Sequence, residues 1–192
     1  LTWTTAGKAG FITSLYVVLT PLLGMVLGQR TGKAAWTGAL LAALGLYLLS
    51  AQGLTGLAPG DGLVLIGAFF WGAHVVWIGY AAPRTDGLQL AMVQFITCAV
   101  LSLAGAFVLE APAPGPILAA GIPILYAGVL SVGGAYTLQV LGQRPARPAP
   151  AAVILSLESV FAALGGWAML GEEMSLRGAA GCVLMMGGVL VS

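Results

Sequence analysis

Apolar residues run through this chain in long blocks, with neither the strict alternation of a half-buried strand nor the single stripe of a surface helix. Ala39 to Leu49 and Val100 to Leu109 are apolar on every face, whereas a membrane β-barrel needs segments of roughly ten residues that alternate. A helix needs about 20 apolar residues to cross a hydrocarbon core of ~30 Å. Blocks of that length recur between clusters of charge, Pro and Gly, and seven spans are predicted: Ala9 to Gly28, Ala34 to Ala51, Gly62 to Ala82, Gly87 to Leu109, Gly115 to Gly142, Pro148 to Gly171 and Leu176 to Ser192. The expected fold class is an all-α polytopic membrane protein.

Composition strengthens that expectation. Seven basic and six acidic residues in a chain of 192 that is 59% apolar leave too little polar surface for a soluble domain. The 29 glycines lie inside the apolar blocks and not in linkers, where small residues let helices approach closely. The spacings Gly24/Gly28, Gly38/Ala42 and Gly181/Met185 fit such contacts in part. A net charge of +1 with singly placed basic residues excludes nucleic acid as a partner. Cys98 and Cys182 have no CxxC spacing and no ligand residues beside them, so neither a disulfide framework nor a metal site is expected. No HExxH, nucleophile elbow, P-loop or dinucleotide turn occurs, which removes support for ATP-driven transport, for the common catalytic sites and for a bound cofactor.

Charge sets the orientation. Taking the loops alternately, one side collects Arg30, Lys33, Arg84, Arg144 and Arg147, and the other Lys8, Arg177, Asp61, Glu110, Glu172 and Glu173. The more basic side is expected in the cytoplasm, which puts the C-terminus there too. Trp36 and Trp167, near span ends, suit an interfacial belt.

Sliding the chain by 143 residues lays the first two spans on the last two, Gly28 on Gly171, Gly38 on Gly181 and Gly45 on Gly188. Equivalent spans are five apart, an odd number, so the two copies lie in the membrane with opposite orientations, as in transporters whose site sits between inverted repeats. The last five spans then form one unit and the first two the tail of another. Three further helices are expected ahead of Leu1, where the chain starts without Met or a basic leader.

The stretch Thr4 to Ser50, with AGFITSLYVVLTPLLGMVLG followed by WTGALLAALGLYLLS, resembles the closing helix pair of a repeat in the EamA branch of the drug/metabolite transporter superfamily. LSLESVFAALGGWAMLGEEMSLRGAAGCVLMMGGVLVS is similar to the family's final helix pair with its Gly-Glu turn, and AFFWGAHVVWIG to the opening helix of the second repeat; Gln29 stands where the first copy often has Glu. The resemblance implies ten helices in two inverted five-helix units, with residues 1–55 as the last two helices of the first and 60–192 as the whole second. It also implies a secondary transporter exporting metabolites, amino acids or hydrophobic compounds.

The site candidates are the polar residues inside spans. Glu158 is the one formal charge deep within a span, where a carboxylate costs about 2.5 to 3.5 kcal/mol unless paired, protonated or facing a cavity. His74 is the sole histidine. Each is 12 residues from the same end of its helix, hence about 18 Å deep, so the two can share a proton across a central cavity. A carboxylate that only fixes helix packing and a histidine satisfied at a helix interface are the competing readings. Phe70, Trp71 and Trp77 flank His74 at helical spacing, as a wall for an apolar or cationic substrate or as plain packing. Pro21 cannot donate a backbone hydrogen bond and favours a kink beside Thr13, Ser14, Tyr16 and Thr20. Those hydroxyls form a site wall or bond back to their own helix. Gln94, Tyr126, Tyr136, Thr137 and Gln139 are weaker candidates. The expected partners are a small-molecule substrate and the lipid bilayer, with a second copy of the chain as an optional one. An intramembrane enzyme and a non-transporting assembly subunit are the alternatives, and a bacterial inner membrane is the location suggested by the Gly/Ala/Leu-rich composition.

Overall fold

The computed structural model describes residues 3, 6–50, 58–110, 114–171 and 173–192, and the regular elements among them are all helical. In chain order these are α1 (Ala6–Ser14), α2 (Tyr16–Val26), α3 (Lys33–Ser50), α4 (Pro59–Ala81), α5 (Gly87–Leu109), α6 (Pro114–Ala119), α7 (Gly121–Tyr126), α8 (Thr137–Gln143), α9 (Pro148–Leu155), α10 (Glu158–Leu170) and α11 (Leu176–Val191). A wide turn of π type over Ala127–Tyr136 joins α7 to α8.

Merged where they run on, six of these helices are long and apolar enough to cross a membrane: Lys8–Val26, Lys33–Ser50, Pro59–Arg84, Gly87–Leu109, Gly121–Gln143 and Pro148–Met169. The protein is thus an all-α, multi-pass membrane protein. The seventh expected span, Leu176–Val191, is an apolar helix of 16 residues. The fifth starts at Gly121 and not at Gly115, because Pro114–Ala119 is a separate short helix. Pro123 accounts for the restart: in the third position of α7 its missing N–H is not needed, whereas inside one continuous helix it would remove a hydrogen bond.

The chain divides into two compact units, residues 1–77 with 147–192 and residues 78–146. In the first, the most extensive contact is between α3 and α11, which run antiparallel. A methyl placed on Gly45 would stand 2.5 Å from the Gly181 carbonyl oxygen, and one on Gly181 equally 2.5 Å from that of Gly45. Gly38 and Gly188 face each other in the same reciprocal way, at 2.6 and 2.7 Å. Only glycine lets two backbones approach so closely, and in lipid such packing replaces the hydrophobic drive that a soluble core would supply. The partners are not Gly38 with Gly181, its equivalent in the repeat, but Gly38 with Gly188. Shifting both residues by 143 in opposite senses converts the Gly38–Gly188 contact into Gly181–Gly45, the relation expected of a two-fold axis between the pair.

Two apolar clusters flank this seam. Val17, Ala39, Ala42 and Val153 join α2, α3 and α9, while Leu46, Val160, Cys182 and Met185 join α3, α10 and α11. Cys182 is a buried member of this packing and Cys98 is exposed. The run 51–57, where the sequence places the boundary between the two expected repeats, lies outside the described residues.

In the second unit, Ile78, Ala82, Ala91 and Val140 form the buried cluster that holds α5 against α8, and Gly87 leaves room for the Leu141 side chain. Asp86 starts α5 by accepting the N–H groups of Leu88 and Gln89 at 3.0 and 2.9 Å, satisfying donors that a helix start leaves without partners. Arg84 folds back on its own helix, its guanidinium 3.9 Å from the Tyr80 ring centroid. Gln139 and Gln143 are buried here and bonded to each other at 3.3 Å.

Candidate functional site

Two spans are interrupted in mid-course, and the interruptions match. The first break is at Leu15, with φ −60° and ψ −12°, and the second at Leu157, with φ −61° and ψ −13°. Both follow a buried serine, Ser14 or Ser156, and both precede a polar residue that opens the next half-helix, Tyr16 or Glu158. The backbone tightens in the same manner at each. Leu15 donates to the Ile12 carbonyl at 3.2 Å and Val18 to Leu15 at 3.0 Å; Leu157 donates to Ile154 at 3.1 Å and Ser159 to Ser156 at 3.2 Å. These bonds to the third residue back replace the regular ladder for one turn. At the second break the Ser156 hydroxyl adds a 2.7 Å bond to the Val153 carbonyl, a local competitor for the helical bond.

The irregular turn does not coincide with Pro21, where a kink was expected. Pro21 is buried within the continuous helix α2, and the irregular turn lies six residues earlier, at Leu15. A serine-leucine pair stands at both breaks, offset by 142 residues, one less than the glycine register, but Ser102-Leu103 lies inside the unbroken α5, so the dipeptide alone does not mark a break.

Just after the first break, α2 and α4 present their polar and aromatic residues to each other. Tyr16 is fully buried and meets Trp71 edge-on, with ring centroids 6.4 Å apart at 71°. Trp71 in turn carries the His74 ring at 5.4 Å and 34°. Val75 and Ala152 close the cluster with Leu155 beside them. One turn along α2, Thr20 is fully buried with its Oγ1 in no hydrogen bond; Gly72 on α4 leaves it room, since a methyl there would come within 3.4 Å of that oxygen. Tyr16, Thr20, Trp71 and His74 are thus brought into one group. Trp77 and Phe70 are not part of it: both point outward, 60% and 66% exposed. The helix turns Trp71 inward and its neighbours away, so the expected continuous aromatic wall is split.

Glu158 opens α10 and is exposed, as Phe161 and Trp167 are further along the same helix. No described contact joins it to His74. Its carboxylate sits in the first turn of α10, where the positive end of the helix dipole favours an anion. No group of three or more potential metal ligands occurs among the described residues.

At the start of α4 lies a feature that sequence reasoning did not single out. Lys8 of α1 and Asp61 of α4 form an ion pair of 2.8 Å with both side chains about nine-tenths buried. Asp61 also accepts the Ala58 N–H at 2.8 Å, and the Gly60 N–H reaches the Trp3 carbonyl at 3.1 Å. The pairing spans 53 positions of sequence and has no local signature, beyond the alternation of spans that puts the two charges on one side.

A multi-pass helical bundle whose spans break around buried polar and aromatic residues has the build of a membrane transporter. Residues 58–192 match the EamA-like transporter family, and the chain belongs to that family, within the drug/metabolite transporter superfamily. It is 36% identical over 177 residues to an uncharacterized transporter of Archaeoglobus fulgidus, covering 91% of this chain and 56% of that protein. The chain spans about half the length of this curated relative. A solved crystal structure has the same fold along the whole chain, with a TM-score of 0.79 at 24% identity over 69% of its own length.

Proposed function

We propose that this chain is the larger part of a secondary transporter that moves small solutes by alternating access between two inverted five-helix repeats, with residues 1–55 closing the first and 60–192 forming the second. The observation that carries the reading is the matched pair of mid-span breaks, Leu15 and Leu157, with equal backbone angles in equivalent helices. Interrupted helices near the bilayer midplane are where transporters of this kind hold their substrates. The reciprocal glycine contacts of α3 and α11 support the two-fold relation.

The solute is a metabolite, amino acid or hydrophobic compound, and the direction is outward. Tyr16, Thr20, Trp71 and His74 contact it from the first break, and Glu158 answers from the second. Their aromatic faces and hydroxyls suit an amphipathic molecule with an apolar or cationic part. The membrane is a bacterial inner membrane with the C-terminus in the cytoplasm, following the excess of Arg and Lys in the loops after the first, third and fifth spans.

The test is counterflow driven by a pH gradient, with the full-length protein in liposomes and a panel of amino acids and amphipathic cations. Flux lost in Glu158→Gln and retained in wild type supports proton coupling through Glu158. Equal flux in both leaves a transporter without that coupling, and absence of flux for every solute argues against transport through this group of residues.

A further inference from the structure

The nine-residue half-helix α1 is held differently at its two ends. At one end the Leu15 turn joins it to α2 with bonds to the third residue back, a joint that can bend by small changes of a few dihedrals. At the other, Lys8 is bound to Asp61 across to α4, and the Trp3 carbonyl just before the helix takes the Gly60 N–H. Between joint and clasp, α1 touches α3 through the edge-on rings of Phe11 and Tyr47, centroids 6.2 Å apart. Immediately beyond the joint stands Tyr16, packed on Trp71.

An ion pair buried at a helix end is a poor source of stability, because desolvation offsets most of the attraction, but it is a strong two-state contact. While made, the two charges offset each other; once they are apart, water can enter between them. Asp61 is suited to separation: its Oδ2 keeps the Ala58 N–H, and the first turn of α4 keeps a negative charge favourable there. Lys8 is a flexible cation that carries its own hydration shell when released.

We propose that α1 is a gate arm of the transporter, hinged at Ser14-Leu15 and latched by Lys8–Asp61, and that the structure holds the latched state. Release of the pair lets α1 swing about the joint, admits water along α2 and exposes the Tyr16, Thr20 and Trp71 group to the side of the membrane on which Lys8 and Asp61 lie. The latch rests on the transporter reading, yet its test needs no substrate and so fails or succeeds separately from it.

The full-length protein is prepared without its native cysteines and with Thr20→Cys as a reporter, reconstituted in liposomes and treated with a membrane-impermeant maleimide. The latched protein labels slowly. Lys8→Met or Asp61→Asn should raise the labelling rate by about tenfold or more, and the exchanged pair Lys8→Asp with Asp61→Lys should return it toward the starting rate. A second preparation carries Lys8→Cys and Asp61→Cys with the same reporter blocked or free. Oxidation to the disulfide should suppress labelling of the peptide that carries position 20, and reduction should restore it, the label at positions 8 and 61 being scored separately. Unchanged labelling in the single variants, or a disulfide-closed protein that labels as fast as the reduced one, overturns the latch. Counterflow measured on parallel liposomes that hold the protein with Thr20 intact then shows independently whether transport itself stands.

Discussion

The contact of α3 with α11 and that of α2 with α4 are built on opposite principles. The first is backbone on backbone: glycines at 38, 45, 181 and 188 bring carbonyl oxygens so near the facing chain that an added methyl would stand 2.5 to 2.7 Å away. The Met185 and Ser192 side chains also reach into the seam, but the facing carbonyl oxygens belong to the backbone and cannot yield to relieve a clash. The second is side chain on side chain, with Tyr16 against Trp71, His74 stacked on that ring and the Thr20 hydroxyl buried without a hydrogen bond. Parting α3 from α11 would forfeit close dispersion contacts that lipid cannot replace. Parting α2 from α4 would let a buried hydroxyl find water or substrate, so separation there is partly compensated. On the proposed reading, that difference makes one pair the frame and the other the working surface.

Four substitutions and one control sharpen or break that contrast. The largest effect is expected from Gly45→Ala, which drives a methyl into the Gly181 carbonyl and should lower stability by roughly 3 kcal/mol or more, read as loss of monodisperse protein and a lower melting temperature in detergent. Its control is Gly187→Ala on the same α11, where an added methyl meets nothing within 4 Å; that variant should match or slightly exceed wild type. Equal behaviour of the two would remove the seam from its structural role. Next, Trp71→Ala removes the ring shared by Tyr16 and His74, and should cost about 2 kcal/mol together with most of the counterflow; full transport in a merely less stable protein would move the substrate elsewhere. Thr20→Val should change stability by less than about 1 kcal/mol, toward greater stability, because it deletes an unsatisfied buried hydroxyl, while raising the KM for counterflow. Smallest is Ser156→Ala: losing the bond to the Val153 carbonyl should stiffen the α9–α10 joint and shift the melting temperature by only a degree or two, on the order of 0.5 kcal/mol.

The sequence showed the helical spans and the glycine register because both are periodic, and a period survives without knowledge of partners. It also flagged Tyr16 with Thr20 on one span and Trp71 with His74 on another, as polar or aromatic residues inside apolar blocks. That the four belong together depends on which face of α4 turns toward α2, and a helix apolar all round carries no stripe to say so. Trp77, three residues from His74, lies outward for the same reason. Pro21 drew attention as a helix breaker, yet the irregular turn sits at Ser14-Leu15, where the two copies share a dipeptide that carries no strong propensity of its own. The Lys8–Asp61 pair could not be read at all, since helix ends far apart in sequence meet only through packing.

The reciprocal glycine contacts carry one more consequence. Gly38 and Gly45 are seven residues apart, as are Gly181 and Gly188, so α3 and α11 touch backbone to backbone at two points about 10 Å apart along their axes. Two rods crossing at one point can scissor; two rods pinned at two points cannot. The pair therefore behaves as a single stiff strut, and a push applied near one face of the membrane reaches the other without being taken up by shear between the two helices. Whatever rocks in this protein must rock around that strut.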